Sequence, residues 1–147
     1  MPLTPFPTTP LTRLSPPTTK LPAPIHALTF SSGSGSYLLT GSSDRNIRLY
    51  NPSTSNLIQT YSAHGYGVLD IACSEDNAKF ASVGGDKTVF VWDVASGQTL
   101  RRFNGHVGAV NAVRWGGEGE GVVVSGSFDG VSWSWDRRGV DVRCWLT

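Results

Sequence analysis

Cysteine is scarce: the 147-residue chain carries two, Cys73 and Cys144, far apart and with no CxxC pair or histidine-rich neighbourhood around either. That spacing suggests neither a disulfide framework nor a zinc site, so reduced thiols and no metal or other cofactor are expected. An excess of charge of one sign is missing as well. Twelve Lys and Arg stand against 11 Asp and Glu, a net charge of +1, which offers no electrostatic footprint for nucleic acid or an anionic membrane. Direct nucleic-acid binding is therefore not expected, and the expected partners are proteins. No apolar run approaches the roughly 18 residues of a membrane span, and the N-terminus lacks the basic-then-apolar order of a signal peptide. No membrane association is expected, and the expected location is the cytoplasm, with the nucleus as a second compartment.

Proline is nearly absent after residue 24. Eight of the nine prolines lie in residues 1–24, a segment with no acidic residue. Each proline removes a backbone donor and pushes its predecessor into an extended conformation, so residues 1–24 read as a flexible, partly polyproline tail. Thr4-Pro5, Thr9-Pro10 and Ser15-Pro16 have the order that proline-directed kinases prefer, although any Pro/Thr-rich linker contains such pairs.

From residue 25 onward helical spacing is missing too, and apolar residues alternate with polar ones between turns rich in the 17 glycines. This is the pattern of short strands. Residues 63–93, AHGYGVLDIACSEDNAKFASVGGDKTVFVWD, set a frame that returns at residues 105–136 and, more weakly, at 24–51. Each copy reads as four strands. The second, for example, places them at 68–73, 79–83, 88–92 and 99–103. Three repeats are expected, at about 25–61, 62–103 and 104–147. In the third, registration on Asp129 puts Ser132 and Ser134 where Ile47 and Leu49, or Val89 and Val91, stand, and Val131 and Trp133 then point outward. A one-residue slip turns every side chain over, so this strand is expected to be distorted, or to be replaced by the rival stretch Val142-Arg143-Cys144-Trp145.

Superposing the copies aligns Thr40, Ser82 and Ser125; Asp44, Asp86 and Asp129; and Tyr50, Trp92 and Trp135. His64 and His106 precede their serines by 18 and 19 residues, whereas the first copy has Lys20-Leu21 in that place. Indole, hydroxyl, imidazole and carboxylate can chain as Trp to Ser to His to Asp, satisfying polar groups that would otherwise cost about 1 to 3 kcal/mol each if buried unpaired. The same residue types could serve a hydrolase. A nucleophilic serine, however, needs an exposed hydroxyl and oxyanion donors, while Ser82 sits inside an alternating strand and the set recurs with the repeat. A structural network with no catalysis is expected. Arg101, Arg102 and Arg114 beside aromatic residues could suggest RNA stacking, but a solvated strand face produces the same picture.

A repeat of this length with Gly105-His106, Asp129 and Trp135-Asp136 in register, echoed by His64, Asp86 and Trp92-Asp93, resembles the WD-repeat family. The resemblance implies an all-β fold of propeller blades, each a four-stranded antiparallel sheet. Residues 61–72, 84–98 and 125–130 look most like the mitogen-activated protein kinase organizer group, also called the WD repeat-containing protein 83 group. That likeness implies a non-enzymatic scaffold for kinase-cascade components; the alternative is an RNA-processing adaptor associated with the spliceosome. Residues 25–147 supply about three blades where family propellers have at least four, which implies an incomplete propeller with apolar end faces and suggests a fragment, a truncated isoform or a faulty gene model. Partner contacts in propellers fall on the face that bears Tyr66 and the residues before the turn aspartates (Ser43, Gly85, Phe128). Tyr66 and Phe128 are the candidates here.

Overall fold

A computed structural model describes residues 13–14, 23–116, 119, 121–136 and, for the backbone alone, 141–144. Lys20, Leu21 and the three Thr-Pro or Ser-Pro pairs of the tail lie outside the described residues.

Twelve strands are described: β1 (Ile25–Phe30), β2 (Leu38–Ser42), β3 (Asn46–Asn51), β4 (Asn56–Ser62), β5 (Val68–Cys73), β6 (Lys79–Gly84), β7 (Thr88–Asp93), β8 (Thr99–Asn104), β9 (Val110–Gly116), β10 (Val122–Ser127), β11 (Ser132–Asp136) and β12 (Asp141–Cys144). They form three antiparallel meanders in chain order, four strands each. Alternation lets each strand present one row of side chains to each face. Tight turns between successive strands leave sequence neighbours as the pairing partners.

The fold is all-β, a three-bladed sector of a propeller. The sheets stack side by side, with the first strands β1, β5 and β9 in contact in series. The outer strands β4 and β8 are largely exposed. Between sheets 1 and 2 lies one apolar cluster, in which Leu39, Ile47, Leu49 and Tyr61 meet Val68, Phe80, Phe90 and Trp92. Between sheets 2 and 3 lies a second, in which Val83, Val89 and Val91 meet Val110, Val113, Val123, Trp133 and Trp135. The middle sheet thus uses both rows: Phe90 and Trp92 face sheet 1, Val89 and Val91 face sheet 3, and every residue from Thr88 to Trp92 is buried. Complete burial of side chains such as Phe80 or Val89 is worth roughly 1.5 to 3 kcal/mol each.

Close approach between sheets needs Gly41, where a Cβ would stand 2.6 Å from Val68 Cγ1. Polar ties cross both seams. Tyr61 donates its hydroxyl to Val94 O (3.0 Å). Asp70 accepts from Val113 N (2.9 Å) and Arg114 Nη1 (2.7 Å), and Trp115 Nε1 donates to Ala72 O (2.9 Å).

Two expectations are corrected. The strand after Asp129 is neither displaced nor distorted: β11 pairs Ser125 with Trp133 and Val123 with Trp135, as β7 pairs Ser82 with Phe90 and Phe80 with Trp92. Trp133 is buried at 8% exposure, and Val131 packs against the same cluster. Val142 to Cys144 of the rival stretch lie in the neighbouring strand, since β12 pairs with β11, and Trp145 lies outside the described residues. Judging the register by one row of a sheet that buries both rows produced the false slip. The end faces also differ from the apolar surfaces expected. Sheet 1 turns Arg48 and Tyr50 away from sheet 2, both buried. Sheet 3 turns half-buried Ser132 and Ser134 away from it, with exposed Val124 beside Ser134.

Candidate functional site

The turns between the second and third strands of each sheet share one construction. The residue before the aspartate donates its N–H to the carbonyl ahead of the first strand: Ser43 to Pro24 (2.9 Å), Gly85 to Gly67 (3.1 Å) and Phe128 to Ala109 (3.0 Å). The residue after the aspartate is left-handed in all three, with φ of 73° at Arg45, 65° at Lys87 and 79° at Gly130. An aspartate suits this bend because its carboxylate can accept from backbone N–H groups two residues on. Asp129 Oδ1 does so from Val131 N (2.9 Å), and Asp44 Oδ1 from Asn46 N (3.1 Å).

From this turn the polar chain of sheet 2 runs inward. An indole N–H can only donate, so Trp92 Nε1 gives its proton to Ser82 Oγ (2.8 Å). The serine hydroxyl then donates to His64 Nε2 (2.8 Å), which leaves the imidazole proton on Nδ1, donated to Asp86 Oδ2 (2.9 Å). Asp86 Oδ2 also accepts from Gly65 N (3.0 Å). Sheet 3 repeats the set: Trp135 Nε1 to Ser125 Oγ, Ser125 to His106 Nε2 and His106 Nδ1 to Asp129 Oδ2, all at 2.9 Å, with Val107 N on Asp129 Oδ2 at 3.0 Å. The structure thus brings together His64, Ser82, Asp86 and Trp92, and likewise His106, Ser125, Asp129 and Trp135.

Ser82 is 0% exposed and Ser125 1%, so neither oxygen can meet a substrate, and each is already bonded on two sides. Burial alone would raise the Asp129 carboxyl, but hydrogen bonds from Val131 N, His106 and Val107 N outweigh it and bring the pKa down to about 2. Asp86 is lowered in the same way, against its burial, by His64 and the backbone of Gly65 and Thr88. Among the described residues no buried side-chain nitrogen or oxygen lacks a partner, and no three His, Cys, Asp or Glu converge as metal ligands would. Burial pushes the Cys73 thiol up to about 11, so it stays protonated.

Sheet 1 solves the same problem with a residue that reading the sequence missed. Thr40 is buried at the Ser82 position and pairs with Arg48, where Phe90 stands in sheet 2. Arg48 reaches Asp44 through Nη2 (2.5 Å) and Nη1 (3.3 Å) and touches Ser42 Oγ (3.2 Å), while Ser42 Oγ also bonds Asp44. The signal was an arginine where the other repeats carry the aromatic residues Phe90 and Trp133, four residues after an aspartate. Asp70 was missed as well. Its signal was a carboxylate inside the apolar run of β5.

Tyr66 and Phe128 lie at the turn-aspartate end of the strands, 66% and 73% exposed, with Val107 at 77%. Gly85 lets Tyr66 lie close, since a Cβ there would be 3.1 Å from Tyr66 Cβ. Arg101, Arg102 and Arg114 are exposed; Arg102 sits 5.5 Å over the Phe90 ring and Arg114 pairs with Asp70.

Comparison with known proteins places these repeats. The family described as WD40, WD domain, G-beta repeat matches residues 15–51, 55–93 and 97–136, and the three matches end where β3, β7 and β11 end. The WD repeat domain-containing protein 83 homolog of Dictyostelium discoideum is 39% identical over 105 residues, 71% of this chain and 32% of the relative. The pre-mRNA-splicing factor cwf17 of Schizosaccharomyces pombe is 33% identical over 116 residues, 74% of this chain and 32% of the relative. The chain thus spans about a third of the length of these curated relatives. The solved structure of U3-55K superposes with a TM-score of 0.78 at 22% identity, covering 84% of this chain and 40% of that one, a likeness of fold. With three matched repeats, each ending on the third strand of a four-stranded sheet, the chain belongs to the WD-repeat family and within it resembles WD repeat domain-containing protein 83.

Proposed function

We propose that this chain is a non-enzymatic protein-interaction scaffold that gathers components of a mitogen-activated protein kinase cascade, residues 25–147 forming the binding part and residues 1–24 a tail. The observation that carries the reading is the contrast between the two kinds of chemistry in each repeat. The serine and histidine groups of sheets 2 and 3 that resemble a hydrolase set are closed off inside the sheets, whereas Tyr66, Val107 and Phe128 stand out at one end of the strands. Exposed aromatic residues held by rigid turns give large contact area at small entropic cost, the usual makings of an interface hot spot. The choice of partners rests on the resemblance to the WD repeat-containing protein 83 group, and likeness to the Dictyostelium WD repeat domain-containing protein 83 homolog supports that grouping. A cytoplasmic location goes with it.

A second reading, a spliceosome-associated adaptor in the nucleus, draws on the likeness to the splicing factor cwf17. Affinity capture with the whole chain separates the two. Retention of cascade kinases, insensitive to salt and lost on Tyr66→Ala with Phe128→Ala at unchanged melting temperature, supports the scaffold. Retention of splicing proteins with no kinase supports the adaptor, and salt-sensitive RNA retention would add direct RNA contact. Unchanged capture by the double variant removes the aromatic face from the account.

A further inference from the structure

At the opposite end of the strands, between sheets 1 and 2, lies a cleft of about 330 Å³. Sheet 1 lines it with Tyr37, Leu39, Leu49, Ile58 and Gln59, and sheet 2 supplies Cys73, Val94 and Ala95 to the facing wall. A second cleft of about 350 Å³ occupies the equivalent place between sheets 2 and 3, lined in part by Lys79, Val91, Leu100, Arg101 and Trp115. By strand register Tyr37 corresponds to Lys79, Leu49 to Val91, Ile58 to Leu100, Gln59 to Arg101 and Cys73 to Trp115. The two clefts are therefore one feature of the repeat carrying different chemistry. The second holds two cations at these positions. The first has an uncharged residue at each, and none of its lining residues is charged.

We propose that the cleft between sheets 1 and 2 is a binding site for an uncharged, apolar side chain, aliphatic or aromatic, presented by a peptide segment of a protein partner. Its volume lies at the small end of the roughly 300 to 1,000 Å³ usual for ligand pockets, enough for one large side chain and its flanks. A charged group placed there would lose its hydration and meet no opposite charge. Part of the cleft's polar lining is already committed to backbone. Asn77 commits both amide atoms to the backbone of Ser32, accepting from its N–H (2.6 Å) and donating to its carbonyl (3.1 Å), and Ser31 Oγ accepts from Tyr37 N (3.1 Å). At the rim, Tyr37 and Ile58 are 44% and 48% exposed, apolar surface that an occupant would cover. The site is remote from Tyr66 and Phe128 and does not depend on their role.

The test is methyl and amide NMR of the full chain titrated with N-acetyltryptophanamide and N-acetylleucinamide, and with N-acetyl-lysinamide and the amide of N-acetylglutamate as charged controls. Saturable shifts are expected at Leu39, Leu49, Ile58, Val94 and Ala95 with the first two probes and none with the controls. Giving the first cleft the cations of the second, by Tyr37→Lys with Gln59→Arg, is expected to weaken binding at least tenfold while the melting temperature holds. Where the double variant fails to fold, Tyr37→Lys alone, at an exposed rim position, carries the same expectation. Shifts that do not saturate or centre elsewhere, an equal response to the charged probes, or unchanged binding by the variants would overturn the site.

Discussion

Replacing Ser82 by alanine removes one oxygen and strands two ring nitrogens, His64 Nε2 and Trp92 Nε1, where water cannot reach. Each unpaired group costs about 1 to 3 kcal/mol, so Ser82→Ala is expected to lower unfolding free energy by roughly 2 to 6 kcal/mol, read from urea midpoints. Ser125→Ala is expected to do the same through His106 and Trp135. The carboxylates at the turns set the acid limit. Asp44 and Asp129 are held at about 2 in the folded chain, below the ~3.9 of an unfolded aspartate, and Asp86 is lowered in the same sense. Folded pKa values below the unfolded ones mean that this stabilisation is full above about pH 4 and is lost as pH falls toward 2. A melting temperature that stays level from pH 4 to 2 would contradict it, and Asp129→Asn is expected to shallow the decline.

At the scale of the strand, β11 shows what a periodic pattern can hide. Its tryptophans face sheet 2 and its serines face away, so Trp133→Ala is expected to cost about 3 to 5 kcal/mol and Ser134→Val less than about 0.5 kcal/mol. The opposite ranking in denaturant titrations would restore the slipped register. His64, Ser82, Asp86 and Trp92 were legible in the sequence because they recur at near-constant spacing in the next repeat. Arg48 was not, because no other sheet places a charge in that row, and a single copy makes no pattern. Trp133 was misread for a different reason: the comparison strand β7 buries both of its rows, so the place of Val89 and Val91 did not mark the one row that β11 must keep apolar.

The molecule as a whole is held by contacts between neighbouring sheets, one apolar cluster on each side of sheet 2. Stability in such an array is a sum of sheet and seam contributions. Gly41→Ala, which would drive a Cβ to 2.6 Å from Val68 Cγ1, is expected to weaken the seam of sheets 1 and 2 by about 1 to 3 kcal/mol. Hydrogen exchange is expected to quicken in β1 to β4 well before β9 to β11, and uniform loss of protection across all three sheets would show a single cooperative unit instead. That seams exist could be read from the repeat. Their polar ties, such as Asp70 to Val113, could not, since they join residues more than 30 positions apart. One difference among the sheets carries into the order of folding. The carboxylate of sheet 1 finds its counter-ion four residues along the chain, at Arg48, whereas Asp86 and Asp129 wait for histidines 22 and 23 residues away. Closing the longer loops costs about 1.5 kcal/mol more chain entropy. The first hairpin is therefore expected to fix its bend earliest in folding, read as higher φ-values for substitutions at Asp44 and Arg48 than at His64 and His106; equal values would contradict it.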